Sequence, residues 1–158
     1  MADLKAKYGA STEITITLAS LANDGQRQAT AVSNATNLFL DALIGGKVKT
    51  AASGVAATGY VDLYLAVSAD GGTTYSGDAS GTDGAYAGKQ TNLIFLGRVA
   101  ANANDTTYEF AGRSVAAACN GAMPQHWTVV VDNQTGAALS ATAADSEVHY
   151  QGVHAQSV

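Results

Sequence analysis

Cysteine occurs once, at Cys119, so no disulfide framework can staple the chain. Proline also occurs once, at Pro124. Charged residues make up only 13% of the chain, where about 25% is usual. Positive charge is scarcest: eight Lys and Arg face thirteen Asp and Glu, for a net charge of −5. Lys5 with Lys7 and Lys47 with Lys49 are two small pairs, not the basic stripe of a nucleic-acid binder. No apolar run approaches the length of a membrane span. Neither nucleic acid nor membrane is therefore expected as a partner. Met1 to Tyr8 carries Asp3, Lys5 and Lys7 and has no apolar stretch, which predicts no signal peptide and synthesis in the cytoplasm.

Metal and cofactor signals are missing too. No CxxC pair or His/Cys spacing suggests zinc. His149 and His154 are an odd number of positions apart, so on one strand they face opposite ways. Asp70, Asp78 and Asp83 do not have the spacing of an EF-hand loop. No metal and no cofactor is expected. Depleted charge is also a mark of interface cores, which predicts a homo-oligomer or a subunit held in a lattice.

What is present is alternation with period 2, the signature of half-buried strands. Ile14, Ile16 and Leu18 alternate with threonines, and Val61, Leu63, Leu65 and Val67 with Asp62, Tyr64 and Ala66. Tyr108 and Phe110, then Trp127, Val129 and Val131, then Val148 and Tyr150 repeat the pattern. Leu93 to Val99 reads as a strand covered on both faces, and Ala42 to Thr50 as a further strand. Turn clusters separate them: Asn23-Asp24-Gly25, Asp70-Gly71-Gly72, Asn102 to Asp105 and Asn133 to Gly136. The spacing predicts an all-β, antiparallel β-sandwich, jelly-roll-like, with an immunoglobulin-like Greek key as the alternative. Trp127 opens its strand and is expected to be a core anchor.

Two stretches have helical spacing: Asn34 to Leu43, and Ser114 to Cys119 with Ser114 as a cap. Ser76 to Gly88 is rich in Gly, Asp and Ser and reads as a long exposed loop. Ser68 to Tyr75 resembles the Asp-box of sialidases, with Tyr75 where tryptophan is usual. That resemblance implies a turn device rather than a catalytic site. Residues 1–11 precede the first clear strand and read as an N-terminal arm, with residues 12–158 as the single β-sandwich domain. Leu4 and Tyr8 find no place in the strand pattern. Leu4, Lys5, Lys7 and Tyr8 are therefore the candidate interaction residues, expected to order against a neighbouring subunit.

Catalytic patterns fail one by one. Gly112-Arg113-Ser114-Val115-Ala116 lacks the second glycine of a nucleophile elbow. Gly45-Gly46-Lys47 lacks the frame of a P-loop. Cys119 has no partner base, and no two carboxylates stand apart as a glycosidase pair. No enzyme is expected. A carbohydrate-binding module would need a platform of exposed aromatics, and most of the aromatics sit where the alternation points to the core.

The opening Met1-Ala2-Asp3-Leu4-Lys5, together with Leu21 to Gly25, Tyr60 to Tyr75, Asn92 to Arg98, Trp127 to Gly136 and Tyr150 to Val153, resembles short virion structural proteins of tailed bacteriophages. The resemblance spans nearly the whole chain. It implies a particle component located in the virion: a capsid cement or decoration subunit with the major capsid protein as partner, or else a head-tail connector or tail component. It brings no functional residues with it.

Overall fold

The computed structural model describes residues 3–157. Ten strands form: β1 (Leu4–Ile14), β2 (Gln26–Gln28), β3 (Val32–Ser33), β4 (Asp41–Lys49), β5 (Tyr60–Ser68), β6 (Gly84–Ala85), β7 (Ile94–Ala100), β8 (Thr107–Ser114), β9 (His126–Gln134) and β10 (Glu147–Ser157). One short helix, α1 (Val115–Ala118), follows β8, and the Ser114 side chain accepts from the Ala117 N–H to cap it.

The strands make two antiparallel sheets. The first has the order β1-β10-β4-β8, and the second β6-β2-β9-β5-β7, with β3 also on β9. The pairs nest. β5 with β7 is the innermost, then β4 with β8, then β2 and β3 with β9, then β1 with β10. One long folded hairpin thus wraps into two facing sheets, which is a jelly roll. The immunoglobulin-like Greek key is not the topology found.

The core lies between the sheets and is built by the period-2 rule. Trp127, Val129 and Val131 of β9 and Val61, Leu63 and Leu65 of β5 meet Ile14, Ile44, Val48 and Val148 of the first sheet, all buried. Trp127 is fully buried and meets Tyr150 of the facing sheet edge-on, with ring centroids 5.6 Å apart.

Four expectations need correction. Asn34 to Leu43 is not helical: a turn leads directly into β4 at Asp41. Its apolar spacing comes instead from Ala42, which enters the core, and Phe39, which covers β10. β1 stops at Ile14, so Ile16 and Leu18 pack from a loop. β7 is an edge strand of the second sheet, and Phe95 on it is 55% exposed rather than covered. Ser76 to Gly88 is not an exposed loop: it folds over the outer face of the second sheet.

That cover makes a second, smaller core. Ala79 and Tyr86 bury against Ala66 and Val130, flanked by Tyr64, Tyr75 and Leu93. The Tyr86 hydroxyl donates to Gly77 O at 2.6 Å. Asp83 accepts from Arg27 Nε at 2.7 Å and from Thr17 Oγ1 at 2.6 Å. Gln28 exchanges hydrogen bonds with Ser80 in both directions. A polar, glycine-rich composition here supplies backbone ties rather than mobility.

Candidate interaction surface

Leu4, Lys5, Lys7 and Tyr8 do not lie in a separate arm. They form the outer half of β1, paired with β10 from Leu4 opposite Ser157 to Tyr8 opposite Val153. The boundary expected after residue 11 falls inside a continuous strand, and Met1 and Ala2 lie outside the described residues. β4 reaches only as far as Asp41 opposite Val153. Beyond that point β1 and β10 continue as a two-stranded ribbon, with the outer edge of β1 unpaired.

The local sequence explains the ribbon. Register shifts between Tyr8 and Ser11, where Gly9 and Ala10 together oppose Gly152. The Gln151 amide donates to Gly9 O at 2.9 Å and fixes this bulge. Gly152 is needed because the Phe39 ring lies where a Cβ would project. Phe39 also meets the His154 ring edge-on at 4.7 Å. Strand alternation then puts Leu4, Ala6 and Tyr8 on one face of the ribbon and Lys5 and Lys7 on the other.

The surface is apolar to an unusual degree. Among the described residues the exposed large apolar side chains are Leu4, Tyr8, Leu38, Leu40 and Phe95, and all but Phe95 belong to the ribbon or the adjoining turn. Leu40 donates its N–H to Val153 O at 2.8 Å. With Leu4, Lys5, Ala6, Val153, His154 and Ala155 it lines an open hollow of about 270 Å³. Leu38 is held at φ 52° and is 73% exposed. A bulky residue in that left-handed region is strained. The buried Asn34 side chain holds the turn: its amide donates to Phe39 O at 3.0 Å and its oxygen accepts from the Phe39 N–H at 2.7 Å.

The charges are as lopsided as the apolar groups. Arg27 pairs with Asp83, Lys47 with Glu147, Lys49 with Asp105 and Asp145, Lys89 with Asp78, and Arg98 with Asp62. Arg113 donates to the carbonyls of Leu96 and Arg98. Among the described residues that leaves Lys5 and Lys7 as the cations without a partner. Sequence reasoning found these lysines and Leu4 and Tyr8, but missed Leu38, Leu40 and Val153. Leu38 and Leu40 lie just before β4 in the stretch whose spacing read as helical, and Val153 lies in β10.

The groups with catalytic potential are distributed elsewhere. Ser33 Oγ and His126 Nε2 lie 3.1 Å apart, a contact not legible in the sequence. His126 Nδ1 is buried without a partner, so no acid orients the ring as a triad requires. Asp62 and Asp132 face each other across β5 and β9, and both are buried. Arg98 grips Asp62 through two bonds of 2.7 and 2.8 Å. Gln90 and Gln134 amides donate to Asp132 at 2.8 and 3.0 Å. His149 and His154 lie on opposite faces of β10, and Asp70, Asp78 and Asp83 are engaged separately. Among the described residues no three metal-binding side chains gather.

The Asp-box-like segment is a turn. The Asp70 carboxylate accepts from Thr74 Oγ1 at 2.6 Å, from the Thr73 and Thr74 N–H groups, and from Ser68 Oγ. These donors hold its pKa well below the usual carboxylate range, Thr74 contributing most. Burial pushes the Cys119 thiol up, away from reactivity. No family model matches this chain, and no curated protein matches it.

Proposed function

We propose that the protein is a structural assembly subunit of a tailed-bacteriophage virion, a capsid cement or decoration protein that binds its neighbours through the ribbon end. The observation that carries the reading is the collection, among the described residues, of exposed apolar side chains, unpaired lysines and a free strand edge at one end of the jelly roll. Exposed apolar patches of this kind mark interaction sites. The sequence resemblance supports the particle, and the low charge supports a surface covered by other subunits. A contact formed only in the assembled shell stabilises that shell by mass action. A connector or tail component would use the same end against a different neighbour.

The carbohydrate-module reading has one observation in its favour. Tyr60, Tyr64 and Phe95 share the outer face of the second sheet with Asp62 and Asp132. The Arg98 guanidinium, however, lies 3.5 Å from the Tyr60 ring centroid and occupies the face a sugar would stack on. The Phe95 and Tyr64 rings engage each other at 5.5 Å.

Gradient-purified particles, analysed by mass spectrometry and imaged at side-chain resolution, test the proposal. The expected result is the jelly roll seated on the capsid with its ribbon end buried. Absence of the chain from particles refutes it, and seating at the neck or tail moves it to the connector reading.

A further inference from the structure

We infer that the outer half of β1 accepts an extended partner strand in which acidic and apolar residues alternate. The inference rests on reading the ribbon end as the docking end, and it names what docks there. It also changes the role expected for the N-terminal segment, which was to order against a neighbouring subunit: Leu4–Ile14 pairs with β10 of its own chain and offers the free edge.

Three observations specify the occupant. First, β1 is an edge strand with no partner on its outer side, and over Leu4–Tyr8 it has no proline and no bulge. An edge of that kind is a template for strand addition. Second, Lys5 and Lys7 share one face of this stretch, both exposed and, among the described residues, both without an ion-pair partner, in a chain of net charge −5. The paired stretches Leu4 to Tyr8 and Val153 to Ser157 contain no acid. Complementary charge on an added strand must therefore be negative and fall at every second residue. Third, Leu4, Ala6 and Tyr8 share the opposite face, and Leu4 and Ala6 border a hollow also lined by Leu40, Val153 and Ala155, with Lys5 and His154 as its polar residues. The residues between the acids must therefore be apolar, to cover Leu4 and Tyr8 across the new pairing.

The same features count against a second copy of this chain in the registers that set lysine against lysine; a register centred on Leu4 would instead set Lys5 opposite Asp3, and the dimerisation readout below separates that case. Antiparallel self-pairing centred on Ala6 would set Lys5 opposite Lys7 twice. Centring on either lysine would set that lysine against itself. Like charges directly opposite across strands are destabilising.

The test uses the full chain and a synthetic peptide of alternating valine and glutamate, titrated to millimolar concentration and followed by amide chemical shifts. Shifts confined to Leu4 to Tyr8 and the hollow, with slowed exchange of β1 amides, are expected. A valine–lysine peptide should bind about two- to thirtyfold more weakly, as should the valine–glutamate peptide to K5E/K7E, the loss matching two exposed ion pairs. Both lysines are exposed, so that variant should keep its thermal midpoint. A peptide N-methylated at alternate residues should not bind, because it cannot continue the ladder. No shift at β1, equal binding of the two peptides, or concentration-dependent dimerisation through β1 would each overturn the inference. Loss of peptide binding in a protein still found on virions would overturn strand addition alone and leave the structural-subunit reading standing.

Discussion

The Arg113 guanidinium occupies the space that a side chain at position 97 would need. Gly97 lies in β7 at φ 147°, on the edge of the second sheet. Arg113 reaches across from β8 of the first sheet and donates to Leu96 O at 3.3 Å and Arg98 O at 2.8 Å. One side chain thus straps the two sheets together and blunts an edge that could otherwise pair with another chain. Gly97→Ala should expel it and cost about 1–3 kcal/mol, as overpacking does. The urea midpoint measures this; no change would mean that the strap is dispensable.

Trp127 is the largest side chain buried completely. Its neighbours come from both sheets, so they cannot collapse into its volume without moving strands. Trp127→Ala should cost about 3–5 kcal/mol. A denaturation midpoint close to that of the natural protein would contradict the placement.

Asp83 fastens the segment over the second sheet. The hydrogen bond from Arg27 and then those from Thr17 lower its pKa from 3.8 to about 2. A carboxylate depressed in the folded state stabilises fully above its unfolded pKa, and that contribution fades as pH falls toward the folded value. Between pH 4 and pH 2, in line with those two values, the Ser76 to Gly88 segment should therefore loosen before the main core. Hydrogen exchange of the Tyr86 amide, which donates to Gln26 O at 2.9 Å, reports it. Asp83→Asn should show the loosened state at neutral pH, and unchanged protection there would count against the fastening role.

Leu38 is held in a conformation its side chain disfavours. Leu38→Gly should raise the stability of the isolated protein by about 0.5–1 kcal/mol, since left-handed backbone costs a non-glycine residue about that much after the flexibility of glycine is discounted. The same change should weaken attachment to particles if Leu38 is displayed for contact. A variant both more stable and fully incorporated would show that the strain serves nothing at the interface.

Removal of divalent metal should leave the thermal midpoint unchanged. The described residues bring no three ligands together. A fall of more than about 3 °C in chelator, about 1 kcal/mol for a chain of this length, would reveal a structural ion.

Local chemistry was legible in the sequence. Alternation placed β5, β8, β9 and β10 and pointed Trp127, Val129 and Val131 inward, because side chains on a strand alternate whatever the strand pairs with. The Asp70 turn and the Ser114 cap were legible for the same reason: each is completed by residues within a few positions. Leu4, Lys5, Lys7 and Tyr8 stood out as residues without a place in the pattern, but not as part of a strand. β1 has apolar residues exposed on one face and lysines on the other, so burial leaves no alternating trace over this stretch. What holds it is hydrogen bonding to β10, at the far end of the chain. Ser76 to Gly88 misled in the same way. Its composition reads as a loop, yet Tyr86, Ala79 and Gly77 are buried because the outer face of β5 and β9 carries Ala66 and Val130. Strand identity was therefore fixed by sequence neighbours. Which strands nest, which edge stays open and which loop becomes cover were decided by contacts between distant residues, where hydrogen bonding and packing have no local pattern to announce them.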